Sequence, residues 1–432
     1  MSTRASFYQA HACRVCGSTA LQSVLDLGVQ ALTGIFPRTK DAGLTRGPLE
    51  LVKCVGGADA CGLVQLRHSY DPGEMYGPQY GYRSSLNGSM VDHLGAKVRS
   101  LMQHTTIGAG DVVLDIGSND GTTLSFYPNN ANLIGMDPTA AKFAKYYRPH
   151  INVVADFFSE DAFMHASGGK KAKIVTSIAM FYDLERPLDF MRQVHNVLAD
   201  DGIWHFEQSY LPSMLAANAY DTVCHEHLEY YDLSTIIWMA DRVGFSIVDV
   251  SLNDTNGGSF AITAAKAKPG ETRHAPAVGS LLERERATNP SGSDELARFA
   301  GRVTAHRSEL RSLLQRLKGE GQRVFGMGAS TKGNVILQYC DIGPDLLACI
   351  GEVNEDKFGC FTPGTEIPIV SEAEVISRNP NVLLMLPWHF RENLIRRSAP
   401  LLGRGIKLLF PLPRIDFVER SGAAREGVAR DS

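Results

Sequence analysis

The chain has 432 residues, 44% hydrophobic and 21% charged, with a formal net charge of -4 at pH 7. That profile fits a globular protein of two or three domains, and it excludes bulk-charge binding to nucleic acid, so no nucleic-acid partner is expected. The first residues do not read as a secretory leader and no apolar run reaches bilayer length, so a cytoplasmic protein with no membrane partner is expected.

Residues 1–82 hold four of the eight cysteines. Cys13 and Cys16 form a C-x-x-C knuckle, and Cys54 and Cys61 form a second with six intervening residues. Two knuckles close one tetrahedral thiolate site, and a structural zinc is the expected occupant, although the wider second spacing departs from the usual two to four. Four unliganded buried thiols are the alternative. From Asp71 to His93 the chain is rich in Tyr, Gly and Ser, which reads as a loop. Tyr80 and Tyr82 are its candidate pocket-lining residues, because binding groups gather on loops held by a scaffold.

Residues 83–267 alternate helix and strand. A helix runs to about His104, and then come the strands D-V-V-L-D-I, N-L-I-G-M-D, I-N-V-V-A-D, A-K-I-V-T-S-I-A and G-I-W-H-F-E-Q. A helix is expected after Gly121, and a final strand pair at F-S-I-V-D-V and S-F-A-I-T-A-A. The class is α/β, with a largely parallel, doubly wound sheet. Asp115-Ile-Gly117-Ser-Asn-Asp-Gly121 follows a strand, where glycines let a turn approach a ligand closely. Asp137 ends the next strand and suits ribose hydroxyls, and Asp156 ends the one after it and suits an adenine amino group. This acidic-x-Gly-x-x-x-Gly turn with two acidic strand ends resembles the class I S-adenosylmethionine-dependent methyltransferases. The resemblance implies S-adenosylmethionine as cofactor, held by Asp115, Gly117, Ser118, Asn119, Gly121, Asp137, Pro138, Asp156 and Phe157.

After the fifth strand, Cys224-His225-Glu226-His227 falls at the carboxyl edge of the sheet, where open α/β sheets bind ligands. Adjacent residues point in different directions, so acid–base work suits the cluster better than a metal. Residues 268–420 form a third region: a linker from Lys266 to about Leu281, a long amphipathic helix, and a second α/β unit. Its Gly326-Met-Gly328-Ala-Ser330-Thr331-Lys332-Gly333 turn opens a helix and suits a pyrophosphate. Thr331 replaces the third glycine of the dinucleotide pattern. Asn334, Glu352 and the loop from Pro363 to Pro368 are further candidates. Residues 421–432 read as a disordered tail.

Over its whole length the chain is similar to the sugar-nucleotide C-methyltransferases, on the two cysteine knuckles, Y-G-Y-R-S-S, D-I-G-S-N-D-G, C-H-E-H, and G-M-G-A-S-T-K-G-N with P-G-T-E-I-P-I. The resemblance implies a zinc-binding N-terminal domain, a central methyltransferase domain and a Rossmann-like C-terminal domain. It implies a nucleotide-linked 4-keto-6-deoxy sugar as substrate, methylated at carbon 3. His227 matches the family's base, with Glu226 and His225 as neighbours that orient it or hold the substrate, and Tyr80 and Tyr82 match its tyrosine loop. Cys224 stands where some members carry a tyrosine. The resemblance assigns Gly328, Ser330, Lys332, Asn334 and Glu352 to the sugar nucleotide. A monomer is expected. An O- or N-methyltransferase, or a non-catalytic binding protein of this fold, are the rival readings.

Overall fold

The structure, a computed structural model, describes residues 7–40, 43–57, 59–76, 82–268, 274–289 and 292–419. It packs into two compact units, residues 1–36 with 43–303 and residues 37–42 with 304–432. Tyr80 and the tail from Ser421 lie outside the described residues.

The first unit opens with β1 (Phe7–Gln9), β2 (Leu21–Ala31), β3 (Arg46–Cys54), β4 (Val64–Leu66) and β5 (His68–Tyr70). β2, β3 and β4 form an antiparallel meander, and β1 pairs with β5. The register sets Leu21 opposite Cys54, so the end of β3 meets the chain just after the first knuckle.

A seven-stranded sheet follows, built from β6 (Val112–Ile116), β7 (Asn132–Met136), β8 (Asn152–Val154), β9 (Ala172–Ile178) and β10 (Leu198–Ser209), and closed by the hairpin strands β12 (Phe245–Asn253) and β13 (Ser259–Lys266). Its order is β12-β13-β10-β9-β6-β7-β8, parallel from β8 to β10, with β13 antiparallel to β10. Alternation along the strands serves two cores. Val113, Leu133 and Ile174 pack with Val98 and Leu101 of the helix Gly88–His104. Val112, Leu114 and Val175 face the other way, into a core with Phe181, Trp204 and Phe206 that is continuous with Cys13, Cys54 and Leu63. The chain order reverses between β6 and β9, which places a crevice at their carboxyl ends. The two-residue β11 (Glu229–Tyr230) leaves this sheet and pairs antiparallel with β4, as the fourth strand of the N-terminal sheet.

Three expectations need correction. After Gly121 there is only a single 3-10 turn, Leu124–Phe126; Asp120 accepts bonds from the backbone N and Oγ1 of Thr122, a local turn that competes with helix. The segment after Asp71 is not all loop, since Pro72–Met75 is a short helix and the helix Gly88–His104 begins inside it, capped by Asn87. The linker read from Lys266 contains the start of the helix Pro276–Thr288. Glu285 on that helix accepts from the backbone N of Leu233 and Ser234 and from Tyr210 Oη, which ties it to the first unit and carries that unit to Val303.

The second unit is a six-stranded sheet of β14 (Val324–Met327), β15 (Ile350–Glu352), β16 (Ile369–Ser371), β17 (Val382–Met385), β18 (Lys407–Phe410) and β19 (Asp416–Val418), in the order β16-β15-β14-β17-β18-β19. All pairs are parallel except β18 with β19. The glycine turn follows β14, where the order reverses. Among the described residues, no helix is long and apolar enough to cross a membrane.

Candidate active site and metal centre

Both knuckles converge. The sulfurs of Cys13, Cys16, Cys54 and Cys61 all lie within 4.8 Å of one another, with 3.4 Å between Cys13 and Cys61 and 3.5 Å between Cys16 and Cys54. Four thiolates about 2.3 Å from a tetrahedral zinc sit about 3.8 Å apart, so this set fits the ion with small adjustments. The hydrogen bond with Cys61 pulls the Cys13 thiol down to about 5, against its burial. A divalent cation would do the same for all four.

The cofactor turn is built by close approach. Gly117 and Gly121 hold φ of +74° and +77°, and a Cβ on Gly121 would meet the Tyr147 ring at 2.6 Å. The Tyr147 hydroxyl donates to the Asn119 carbonyl at 2.9 Å and accepts from Ser118 Oγ at 2.7 Å. Asp137 Oδ2 accepts the Asn119 backbone N at 2.9 Å, and Oδ1 accepts the backbone N and Oγ1 of Thr139 at 2.6 Å each. An ionised carboxylate offers about four acceptor sites. The one left on Asp137 suits a single ribose hydroxyl. Asp115 is buried and accepts from Thr176 Oγ1 at 2.5 Å, and burial raises it to about 7. Pro138 is half-buried after Asp137, whereas Asp156 and Phe157 are exposed beyond the end of β8. Tyr82 is 49% exposed, and its carbonyl accepts from Asn119 Nδ2. Ser84 and Ser85 then donate their backbone N to Asn119 and Asp120, so this segment lies on the cofactor turn.

The Cys224–His227 segment divides. Cys224 and His225 are fully buried, and burial pushes the Cys224 thiol well up, so it stays a thiol and not a nucleophile. His225 packs edge-on against Tyr70, ring centroids 4.6 Å apart, and burial lowers it to about 3, which keeps the ring neutral. Glu226 is buried and accepts from Thr33 Oγ1 at 3.3 Å, and its carboxyl is raised by burial. His227 is only half-buried. Its Nδ1 lies 2.9 Å from the Thr222 carbonyl, an acceptor, so Nδ1 carries the proton and the lone pair of the neutral ring is on Nε2. The Tyr182 ring packs on it, centroids 4.3 Å apart. Asp183, next along, accepts from Tyr76 Oη at 2.9 Å and is raised well above the carboxylate range by burial, with Glu226 adding to the shift.

In the second unit Ser330 caps the helix Thr331–Tyr339 by accepting the Gly333 backbone N at 3.0 Å. Gly328 precedes it at φ +80°, and Lys332 lies half-buried in the first turn beside buried Asn334. Glu352 Oε2 accepts the Ala329 backbone N, and Oε1 accepts those of Val353 and Asn354, so this carboxylate holds the turn itself.

Three family models match the chain: "Putative zinc binding domain" over residues 13–76, "Methyltransferase domain" over 91–250 and "C-methyltransferase C-terminal domain" over 254–413. The C-methyltransferase NovU of Streptomyces niveus is 29% identical over 406 residues, covering 93% of this chain and 95% of that one. These matches support a C-methyltransferase family of this type. Among solved structures, the plantazolicin methyltransferase BpumL in complex with a pentazolic desmethylPZN analog and SAH is 15% identical over 43% of this chain and 88% of that chain, with a TM-score of 0.34. An S-adenosylmethionine-dependent methyltransferase from Clostridium acetobutylicum is 10% identical over 41% of this chain and 92% of that chain, with a TM-score of 0.32.

On the family models, the NovU match and the cysteine cluster, the protein is an S-adenosylmethionine-dependent C-methyltransferase with a zinc-binding cysteine cluster. Sequence reading of this C-methyltransferase missed the groups around His227. The Thr222 carbonyl and the Tyr182 ring leave no sequence signal. Asp183 does leave one: it is an acid just beyond β9, at the same carboxyl edge as the predicted residues.

Proposed function

We propose that this C-methyltransferase methylates carbon 3 of a nucleotide-linked 4-keto-6-deoxy sugar through an enolate, with His227 as the base. The observation that carries the reading is the His227 ring: Nδ1 is committed to the Thr222 carbonyl, so Nε2 is its proton acceptor, on a half-buried side chain. A proton beside a ketone is acidic enough for a positioned imidazole to remove. Nε2 takes the proton from carbon 3, and the C–H electron pair becomes the enolate. When bound, S-adenosylmethionine would supply the electrophilic methyl carbon that takes the place of this proton on carbon 3, and would leave as S-adenosylhomocysteine with the methyl–sulfur electron pair. Glu226, whose carboxyl is raised by burial, is the neighbour that orients His227 or holds the substrate, where Cys224 leaves no hydroxyl. Asp137 and the Gly117–Gly121 turn hold the cofactor, and the glycine turn of the second unit, with Gly328, Ser330 and Lys332, has the chemistry to take a pyrophosphate.

Replacing His227 by Asn tests this with dTDP-4-keto-6-deoxyglucose as probe. The variant should bind cofactor normally and lose turnover by at least about a hundredfold. With S-adenosylhomocysteine bound, wild-type enzyme in deuterated water should exchange the proton at carbon 3 and the variant should not. Exchange at the wild-type rate in the variant would move the base elsewhere.

A further inference from the structure

The metal knuckle reaches the catalytic segment through one side chain. Arg14 lies between Cys13 and Cys16, and its guanidinium is almost wholly enclosed, with 3% exposure. Nη1 donates to the Leu66 carbonyl, and Nη2 donates to the His68 carbonyl at 3.3 Å and to Ser69 Oγ at 2.8 Å. The backbone N of Arg14 donates to Gln65 Oε1 at 2.9 Å. Nε faces two acids, Glu229 Oε1 at 3.8 Å and Glu185 Oε2 at 3.7 Å.

Those acids flank the pair that makes the candidate base. Glu229 is two residues past His227, sits on β11 opposite Gln65 of β4, and has no side-chain exposure. Glu185 is three residues past Tyr182. The Leu228 backbone N donates to the Tyr182 carbonyl, and the Leu66 backbone N donates to the Leu228 carbonyl, both at 2.8 Å. The His227 and Tyr182 segments are thus laid together, and Arg14 holds the far end of each.

We propose that Arg14 is a positioning residue for His227: by holding Glu229 and Glu185 together it clamps the two segments whose apposition sets the His227 ring against Tyr182 and the Thr222 carbonyl. The inference rests on the reading of His227 as the base. Burial first, with the charges of Glu185 and Asp183 adding to it, pushes the Glu229 carboxyl well up, and Arg14 opposes that shift. Lysine keeps the charge but cannot reproduce a fork that meets two carbonyls, a hydroxyl and two acids at once.

The test compares full-length wild type, Arg14→Lys, and Arg14→Met combined with Glu229→Gln. The double variant leaves no uncompensated buried charge and keeps the test open if Arg14→Lys does not fold. In folded variants that retain zinc by metal analysis and bind S-adenosylmethionine as the wild type does, kcat on dTDP-4-keto-6-deoxyglucose should fall at least about tenfold, with KM changing far less. ¹⁵N-histidine NMR gives a readout without substrate. Wild type should show His227, assigned through His227→Asn, as a single Nδ1–H tautomer, and the Arg14 variants should show a mixture. A folded variant with wild-type kcat and an unchanged His227 signal overturns the clamp, even where His227→Asn is inactive. Wild-type turnover by His227→Asn overturns the reading of the base instead, and the tautomer signal still decides the clamp.

Discussion

At the scale of single residues, the side chains proposed to serve ligands are distinguished by their burial and by the polar atoms the protein engages. Asp137 spends three of its about four acceptor sites on Asn119 and Thr139. Asp137→Ala should therefore weaken S-adenosylmethionine binding by about 1–3 kcal/mol, the range for losing a hydrogen bond to a charged group, and calorimetry showing unchanged affinity would remove it from the ribose. His227 differs from His225 in exposure and orientation: one ring is half-buried and oriented by a carbonyl, and the other is sealed against Tyr70. Sequence reading named both, because adjacent residues in C-H-E-H carry the same chemistry. Only the backbone path through Thr222 separates them. His205 makes a further prediction. Burial holds this histidine down at about 3, so between pH 6.5 and 3 the unfolded chain binds the extra proton and stability is lost as pH falls. His205→Gln removes that proton, so wild type should lose about 2 kcal/mol relative to the variant between pH 8 and pH 5. Identical pH dependence in denaturant unfolding of the two proteins would contradict the assignment.

At the scale of elements, β11 matters most to the site and was least legible. Two residues carry no periodicity, and their pairing with β4 spans more than 160 positions of chain. The strands β6, β7, β9 and β10 were read correctly because each is a short apolar run bounded by turn residues, buried on both faces of a sheet. The helix expected after Gly121 was not there, because Asp120 and Thr122 bond locally. Through β11 the segment after Cys224–His227 is folded onto the N-terminal sheet, which contains Cys54. Removing zinc with a strong chelator should therefore lower thermal stability and abolish turnover together. About one equivalent of zinc should be released, and full activity after complete release would detach the metal from the site.

At the scale of the whole molecule, both units use one device. In each, an acid just past or at the end of the second strand reaches back to accept a backbone N of the glycine turn after the first, Asp137 to Asn119 and Glu352 to Ala329. The α/β class, the alternation of strand and helix and both glycine turns were legible from spacing. The division into compact units was not, because Glu285 recruits a helix from a stretch whose composition reads as a linker. The account as a whole rests on carbon, and not oxygen or nitrogen, being the methyl acceptor on the sugar. The direct measurement is incubation with ¹³C-methyl S-adenosylmethionine and dTDP-4-keto-6-deoxyglucose, followed by NMR of the product. The account predicts a methyl carbon bonded to sugar carbon 3, with the carbon 3 proton replaced; a methoxy or N-methyl signal, or a methyl on another carbon, would contradict it.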